Sequence, residues 1–153
     1  MALMSTISDF LSTSRLFLLG GLMIATPIVH AGDGSTLNVT LQNVRDASGT
    51  VRAGLYREPA TFRKEDKAVE IVQASAASGA VTLTFRNLPP GRYAIMAYHD
   101  ENGDGQLNRR FGMFPTEGYG LSNNPQVSGP PAFEDSAFEV AAPETAITIE
   151  LRY

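Results

Sequence analysis

Apolar and polar residues alternate one by one through stretch after stretch of this chain. That two-residue period belongs to a strand with one face buried. Leu37, Val39 and Leu41 alternate with Asn38, Thr40 and Gln42. Val51, Ala53 and Leu55 share one face of 50–56, and Val81, Leu83 and Phe85 share one face of 80–85. Ile147, Ile149 and Leu151 alternate with Thr148, Glu150 and Arg152. Segments 69–74 and 137–140 add two shorter candidates. The stretch 92–99, Arg-Tyr-Ala-Ile-Met-Ala-Tyr-His, is the most apolar, which predicts a central strand covered on both faces. Helical periodicity is not sustained anywhere after residue 31; a turn or two of helix fits near 59–67 at most. Seven short strands between Gly/Pro-rich turns predict an all-β fold, a seven-stranded β-sandwich of immunoglobulin-like type. Asp46, Ser48 and Gly49 supply turn chemistry, so the first two strands read as a hairpin.

Before this region lies a segment of a different kind. Residues 1–15 are polar and end in Arg15; an apolar run follows over 16–28, and Val29-His30-Ala31 puts small or β-branched residues at a cleavage position. This pattern predicts a cleavable signal peptide over 1–31 and one domain over 32–153. The run is shorter than the roughly 20 apolar residues of a spanning helix and contains Gly20, Gly21 and Pro27, so no transmembrane span is expected after cleavage. The expected location is periplasmic or secreted.

Composition excludes several chemistries. There is no cysteine, hence no thiol nucleophile, thiolate metal site or disulfide. Arg15 and Asp9 are the only charges in 1–31, so the net charge of −4 is the same with or without that segment. A mildly acidic domain does not favour nucleic acid. Beyond residue 31 the only histidine is His99, so a mechanism that needs two imidazoles in one chain is excluded.

From Asp100 to Pro131 about thirty residues carry no strand pattern, well beyond the roughly 12–15 residues at which structureless loops become uncommon and often functional. The segment begins with Asp100-Glu-Asn-Gly-Asp-Gly-Gln-Leu-Asn108. Asp100, Asn102 and Asp104 fall at positions 1, 3 and 5 of a calcium loop, and Gly105 at position 6. Gln106 would offer its carbonyl at position 7 and Asn108 its side chain at position 9. Position 12 is Phe111, where a bidentate Glu belongs; Glu117 would have to fold back to replace it. The competing reading is a strand-ending turn in which Asp and Asn accept backbone N–H groups. Calcium is therefore the one cofactor under consideration.

His99 stands at the base of the segment. It reads as a packed histidine that braces the loop; the rival reading is a hydrolase using His99 with Asp100 or Glu117. Ser122 lacks the second glycine of a nucleophile elbow. A Glu101/Glu117 pair for glycoside chemistry is a weak signal. Tyr119 could offer a stacking face for a sugar, with Asn123 and Asn124 beside it. The competing expectation is that Tyr119 covers the end of the fold and the amides satisfy backbone groups. Arg109-Arg110 reads as a balance for the acids, and 129–135 as a rigid return to the next strand.

Leu88-Pro-Pro-Gly-Arg-Tyr-Ala94, His99-Asp-Glu-Asn-Gly-Asp-Gly105, Pro115-Thr-Glu-Gly-Tyr-Gly-Leu-Ser-Asn-Asn124 and Pro131-Ala-Phe-Glu-Asp135 together resemble the bacterial domain-of-unknown-function family 2141. The resemblance covers about residues 36–153. It departs at Gly112-Met-Phe-Pro115, where the family usually has a Gly-Ile-Pro-like turn, and at Leu121, where Phe is usual. It implies an exported β-sandwich and no established activity. The Leu-Pro-Pro-Gly-Arg-Tyr stretch is also similar to prealbumin-like and carboxypeptidase-regulatory sandwich modules, which favours binding or structural roles by analogy of fold alone. The expected function is thus a non-enzymatic binding or structural module of the cell envelope, with an envelope or extracellular partner.

Overall fold

In the computed structural model, which describes residues 34–141 and 143–153, the first alternating stretch forms β1, Ser35–Val44. Leu37, Val39 and Leu41 are fully buried, and Asn38 and Thr40 between them are half-buried. Burying each such side chain contributes about 1.5–3 kcal/mol. A one-residue slip would turn all of them outward, so the alternation fixes the register. The signal segment expected at 1–31 lies outside the described residues. Among the described ones, no helix is long and apolar enough to cross a membrane.

The remaining strands are β2 (Thr50–Tyr56), β3 (Glu70–Ser75), β4 (Gly79–Leu88), β5 (Gly91–Asp100), β6 (Arg109–Arg110), β7 (Phe114–Pro115), β8 (Tyr119–Leu121), β9 (Phe138–Val140) and β10 (Glu144–Glu150). A 3-10 turn at Glu65–Lys67 and the short helix α1, Phe133–Ser136, complete the set. One sheet has the order β10-β1-β4; a second has β3-β2-β5-β8, with β9 also on β5; β6 and β7 form a two-stranded hairpin. β1 and β10 are parallel and the other ladders antiparallel.

The fold is all-β, with ten strands in place of the seven expected. The seven alternating segments correspond to β1–β5, β9 and β10. The additional three, β6, β7 and β8, lie inside the stretch after Asp100 that carries no strand pattern. Two- and three-residue strands are too short to show a period, so alternation could not reveal them. The helix expected near 59–67 is reduced to the 3-10 turn, and α1 occupies what read as a rigid return.

The hairpin expected between β1 and β2 does not form. β1 pairs with β10 and β4, whereas β2 pairs with β3 and β5. The turn chemistry is present, for Asp46 Oδ1 accepts the Ser48 N–H at 2.7 Å. Asn43 nevertheless takes φ 62 beside a register irregularity in β1, and the chain crosses to the other sheet. Turn residues locate a bend; they do not choose the partner strand.

The larger sheets bring their apolar faces into one cluster: Leu37, Val39 and Leu41 of β1, Phe85 of β4 and Ile149 of β10 pack with Val51 and Leu55 of β2 and Tyr93 and Ile95 of β5. The opposite face of β5 offers Ala94 and Met96 to a second cluster with Tyr56, Phe62, Leu121 and Phe133. β5 is therefore covered on both faces, and it delivers His99 and Asp100 to the base of the long segment already immobilised.

Candidate functional site

Both carboxylates that organise the segment are buried. Asp100, the last residue of β5, is 1% exposed and Glu117 6%. Asp100 Oδ1 accepts the N–H groups of Gly103 (2.8 Å) and Asp104 (3.1 Å), and Oδ2 accepts that of Gly105 (2.9 Å). Glu117 folds back across the same bend: Oε1 accepts the Glu101 N–H at 3.0 Å and Oε2 the Asn108 N–H at 2.9 Å. Two acids thus hold five backbone donors. A hydrogen bond to an ionised acceptor contributes about 1.5–3 kcal/mol, roughly twice a neutral one. The chain leaving β5 is fixed by acids that lie far apart in sequence and converge in space.

The other residues of the calcium-loop pattern form an outer layer. Asp104 Oδ1 accepts the Gln106 N–H at 2.9 Å, and Oδ2 accepts side-chain N–H groups from Asn108 (2.9 Å) and Asn102 (3.1 Å). Asn102 Oδ1 accepts the Asp104 N–H, and Asn102 also donates to Asn108 Oδ1 at 3.0 Å. The Asn108 amide, and after it the Gln106 N–H, lower the Asp104 pKa below the usual carboxylate value. The spacing therefore does bring Asp100, Asn102, Asp104, Gln106 and Asn108 into one bend. The side-chain oxygens of Asp100, Asn102, Asp104 and Asn108 already accept hydrogen bonds, and the Asn102 and Asn108 amides direct N–H groups at Asp104. Phe111, at the twelfth position, is 83% exposed. Among the described residues, no group of three or more His, Cys, Asp or Glu side chains is gathered closely enough to hold a metal ion. Asp100 and Asp104 could still meet a cation with their remaining lone pairs, provided the two amides rotate to present oxygen.

His99 is fully buried. Its Nε2 lies 2.7 Å from the Ser48 carbonyl and its Nδ1 2.8 Å from the Tyr153 hydroxyl. The carbonyl only accepts, so Nε2 carries a proton. Tyr153 already accepts the Arg45 N–H at 2.9 Å, which leaves its own proton for Nδ1. A neutral imidazole satisfies every partner. The acid nearest Nδ1 is Glu101, at 3.9 Å, and neither Asp100 nor Glu117 is hydrogen-bonded to the ring. Two cavities beside the segment share the wall Arg63, Met96, Leu107 and Arg109; none of His99, Asp100 or Glu117 lines them.

The later residues divide between bracing and display. Ser122 is buried; its hydroxyl accepts the Ile95 N–H at 2.9 Å and donates to the Ser136 carbonyl at 2.5 Å. Asn123 donates to Ala137 and Asn124 to Thr148, so both amides satisfy backbone groups. Tyr119 sits in β8, half-buried, and exchanges backbone hydrogen bonds with Arg152. Gly118 beside it leaves room for the Tyr153 ring, which a Cβ would overlap.

Arg109 and Arg110 do not balance the acids: both are exposed, and among the described residues neither joins an ion pair. They form β6 and lead into Phe111, Met113 and Phe114, which are 83%, 68% and 63% exposed. Sequence reasoning missed this hairpin, as it missed Tyr153. The available signal for the hairpin was three large apolar residues within four positions of an otherwise polar stretch.

Fold and site together define an all-β domain in which two buried carboxylates, Asp100 and Glu117, brace the chain on either side of an apolar hairpin. The chain belongs to the bacterial family described as "Uncharacterized protein conserved in bacteria (DUF2141)", which it matches over residues 39–148, more than two-thirds of its length. Neither a curated protein nor a solved structure matches it.

Proposed function

We propose that this chain is an exported, non-enzymatic two-sheet sandwich that serves as a binding or structural module of the cell envelope. The carrying observation is that Asp100 and Glu117 spend their carboxylates on five backbone N–H groups, fixing a long segment that displays an apolar hairpin. Such an arrangement supplies a rigid contact surface on a scaffold. The single core shared by the larger sheets supports the sandwich reading, and the residue 1–31 pattern supports export. Calcium belongs to this proposal as a ligand of Asp100 and Asp104, with Asn102, Gln106 and Asn108 around them. The hydrolase reading would need His99 to reach solvent, and its burial with both ring nitrogens partnered favours bracing.

The test is fractionation of cells expressing the full chain, with the N-terminus of the recovered protein determined by mass. The expected result is a processed form retained by washed envelopes, and loss of that retention in Phe111→Ser/Phe114→Ser. Recovery of unprocessed protein in the cytosol, or retention indifferent to the hairpin, would overturn the reading.

A further inference from the structure

The tip of the β6–β7 hairpin combines two properties that water alone does not reward. Phe111, Met113 and Phe114 stand in solvent, although large exposed apolar side chains grouped this closely usually mark a contact. Immediately before them, Arg109 and Arg110 are exposed and join no ion pair among the described residues, in a chain whose net charge is −4. Arg63 lines the same cavities as Arg109. The acid on that wall, Glu65, does not neutralise them, because its carboxylate is held by Arg52 at 2.8 Å and by the Tyr98 hydroxyl at 2.9 Å. Local cation charge and apolar area are thus both uncompensated within the described fold, and they adjoin.

The backbone points the same way. Phe111 has φ 53 and Gly112 φ 70, and the Met113 N–H returns to the Arg110 carbonyl at 3.2 Å. Two consecutive positive φ values make a tight hairpin turn that favours Gly, Asn or Asp at its first central position. A phenylalanine there carries strain, which is compatible with selection for the side chain it presents.

We propose that this hairpin docks on an anionic lipid bilayer. Phe111, Met113 and Phe114 enter the interface, while Arg109 and Arg110 meet the phosphates above it. Phe111 and Met113 lie in the turn, Phe114 stands opposite Arg110 across the ladder, and Arg109 lies one step further back, so the apolar groups lead and the cations follow, in the order of a bilayer with hydrocarbon within and headgroups outside. A complementary protein groove would need its own acids placed beside an apolar slot, whereas an anionic membrane offers both layers everywhere. This rests on the binding-module reading and specifies its partner.

The test is sedimentation of the processed, exported protein with protein-free vesicles of phosphatidylethanolamine and phosphatidylglycerol, against phosphatidylcholine vesicles. Using the processed form removes the apolar run 16–28, which would enter a bilayer by itself. The expected result is salt-sensitive binding to the anionic vesicles alone. Phe111→Ser/Phe114→Ser should abolish it, and Arg109→Gln/Arg110→Gln should weaken it about thirty-fold, the effect of removing two surface cations. Unchanged melting temperatures show that the variants are folded. Failure of the wild type to bind anionic vesicles, or equal binding by a folded variant, overturns the inference. If washed envelopes still retain the protein through the hairpin while vesicles do not, the lipid partner falls and the binding-module reading stands.

Discussion

The hydroxyl of Tyr153 lies 2.8 Å from Nδ1 of His99 and closes a chain of hydrogen bonds from the Arg45 N–H to the Ser48 carbonyl. The Arg45 guanidinium also lies 4.0 Å from the centroid of the Tyr153 ring. Tyr153→Phe keeps the ring and removes the hydroxyl, leaving buried Nδ1 without a donor and the Arg45 N–H without its acceptor. The expected cost is about 1–3 kcal/mol by urea denaturation, the penalty of an unpaired buried polar atom. Unchanged stability would show that the imidazole is not held in the arrangement described.

Glu117 is the second brace. Glu117→Ala frees the N–H groups of Glu101 and Asn108 together. The expected loss is about 3 kcal/mol, from two hydrogen bonds to a charged acceptor. Hydrogen exchange should quicken at Glu101 and Asn108, while β2 and β4 amides respond only through the change in global stability. Exchange at those two amides no faster than global unfolding requires would contradict the bracing role.

Tyr56 carries an opposite lesson. Its ring is fully buried and packs edge-on against Phe62, yet its hydroxyl has no hydrogen-bond partner among the described residues. Tyr56→Phe should therefore raise stability by about 1 kcal/mol at neutral pH. Burial, reinforced by Glu65 and Asp66, pushes the phenol up from 10.0 to about 12. The folded form binds that proton more tightly than the unfolded form. Ionisation thus costs the folded form more than the unfolded one: titration of this group takes nothing from stability below pH 10.0 and lowers it as pH climbs from 10.0 to about 12. The variant should lose this part of the alkaline instability, read as a melting temperature that falls less steeply over that interval.

Alternation made the scaffold legible, because strands such as β1 and β2 turn one face into the core and repeat the choice at least three times, as at Leu37, Val39 and Leu41 or Val51, Ala53 and Leu55. The apolar stretch 92–99 announced β5, since a strand covered on both faces has no polar side to show. The acids of the segment were visible as residues; their division of labour was not. That Glu117 would cap Glu101 and Asn108 depends on β8 returning along β5, a pairing carried by a three-residue strand. Nothing in the sequence marks Tyr153, because its bond to His99 depends on how the chain beyond β10 returns to the end of β5 in three dimensions. The crossing after β1 was likewise hidden, for the same turn residues serve a hairpin and a crossover.

Calcium makes a separable prediction on Asp100 and Asp104. Melting of the processed protein in calcium and in chelator should differ if rotated Asn102 and Asn108 amides add oxygens to the two carboxylates. At a hundredfold excess over Kd the ion would contribute about 2.7 kcal/mol. At this chain length that is a rise of several degrees. Asp104→Asn should remove the rise. Identical melting curves at millimolar calcium would leave the turn as a self-sufficient hydrogen-bonded structure.

Phe111 links stability to contact. A non-glycine residue in the left-handed region costs about 1–2 kcal/mol, and the greater freedom of glycine in the unfolded chain returns about 0.5–1 kcal/mol of that on substitution. Phe111 is 83% exposed, so little packing is lost with its ring. Phe111→Gly should consequently raise stability by about 0.5–1 kcal/mol while weakening attachment to anionic vesicles. The two effects have opposite signs because the ring serves a surface outside the fold and the backbone beneath it bears the strain. Denaturation and sedimentation on the same preparation read both at once. A variant that is less stable and binds as well as the wild type would mean that the ring packs within the domain, and the hairpin would lose its claim to be a contact surface.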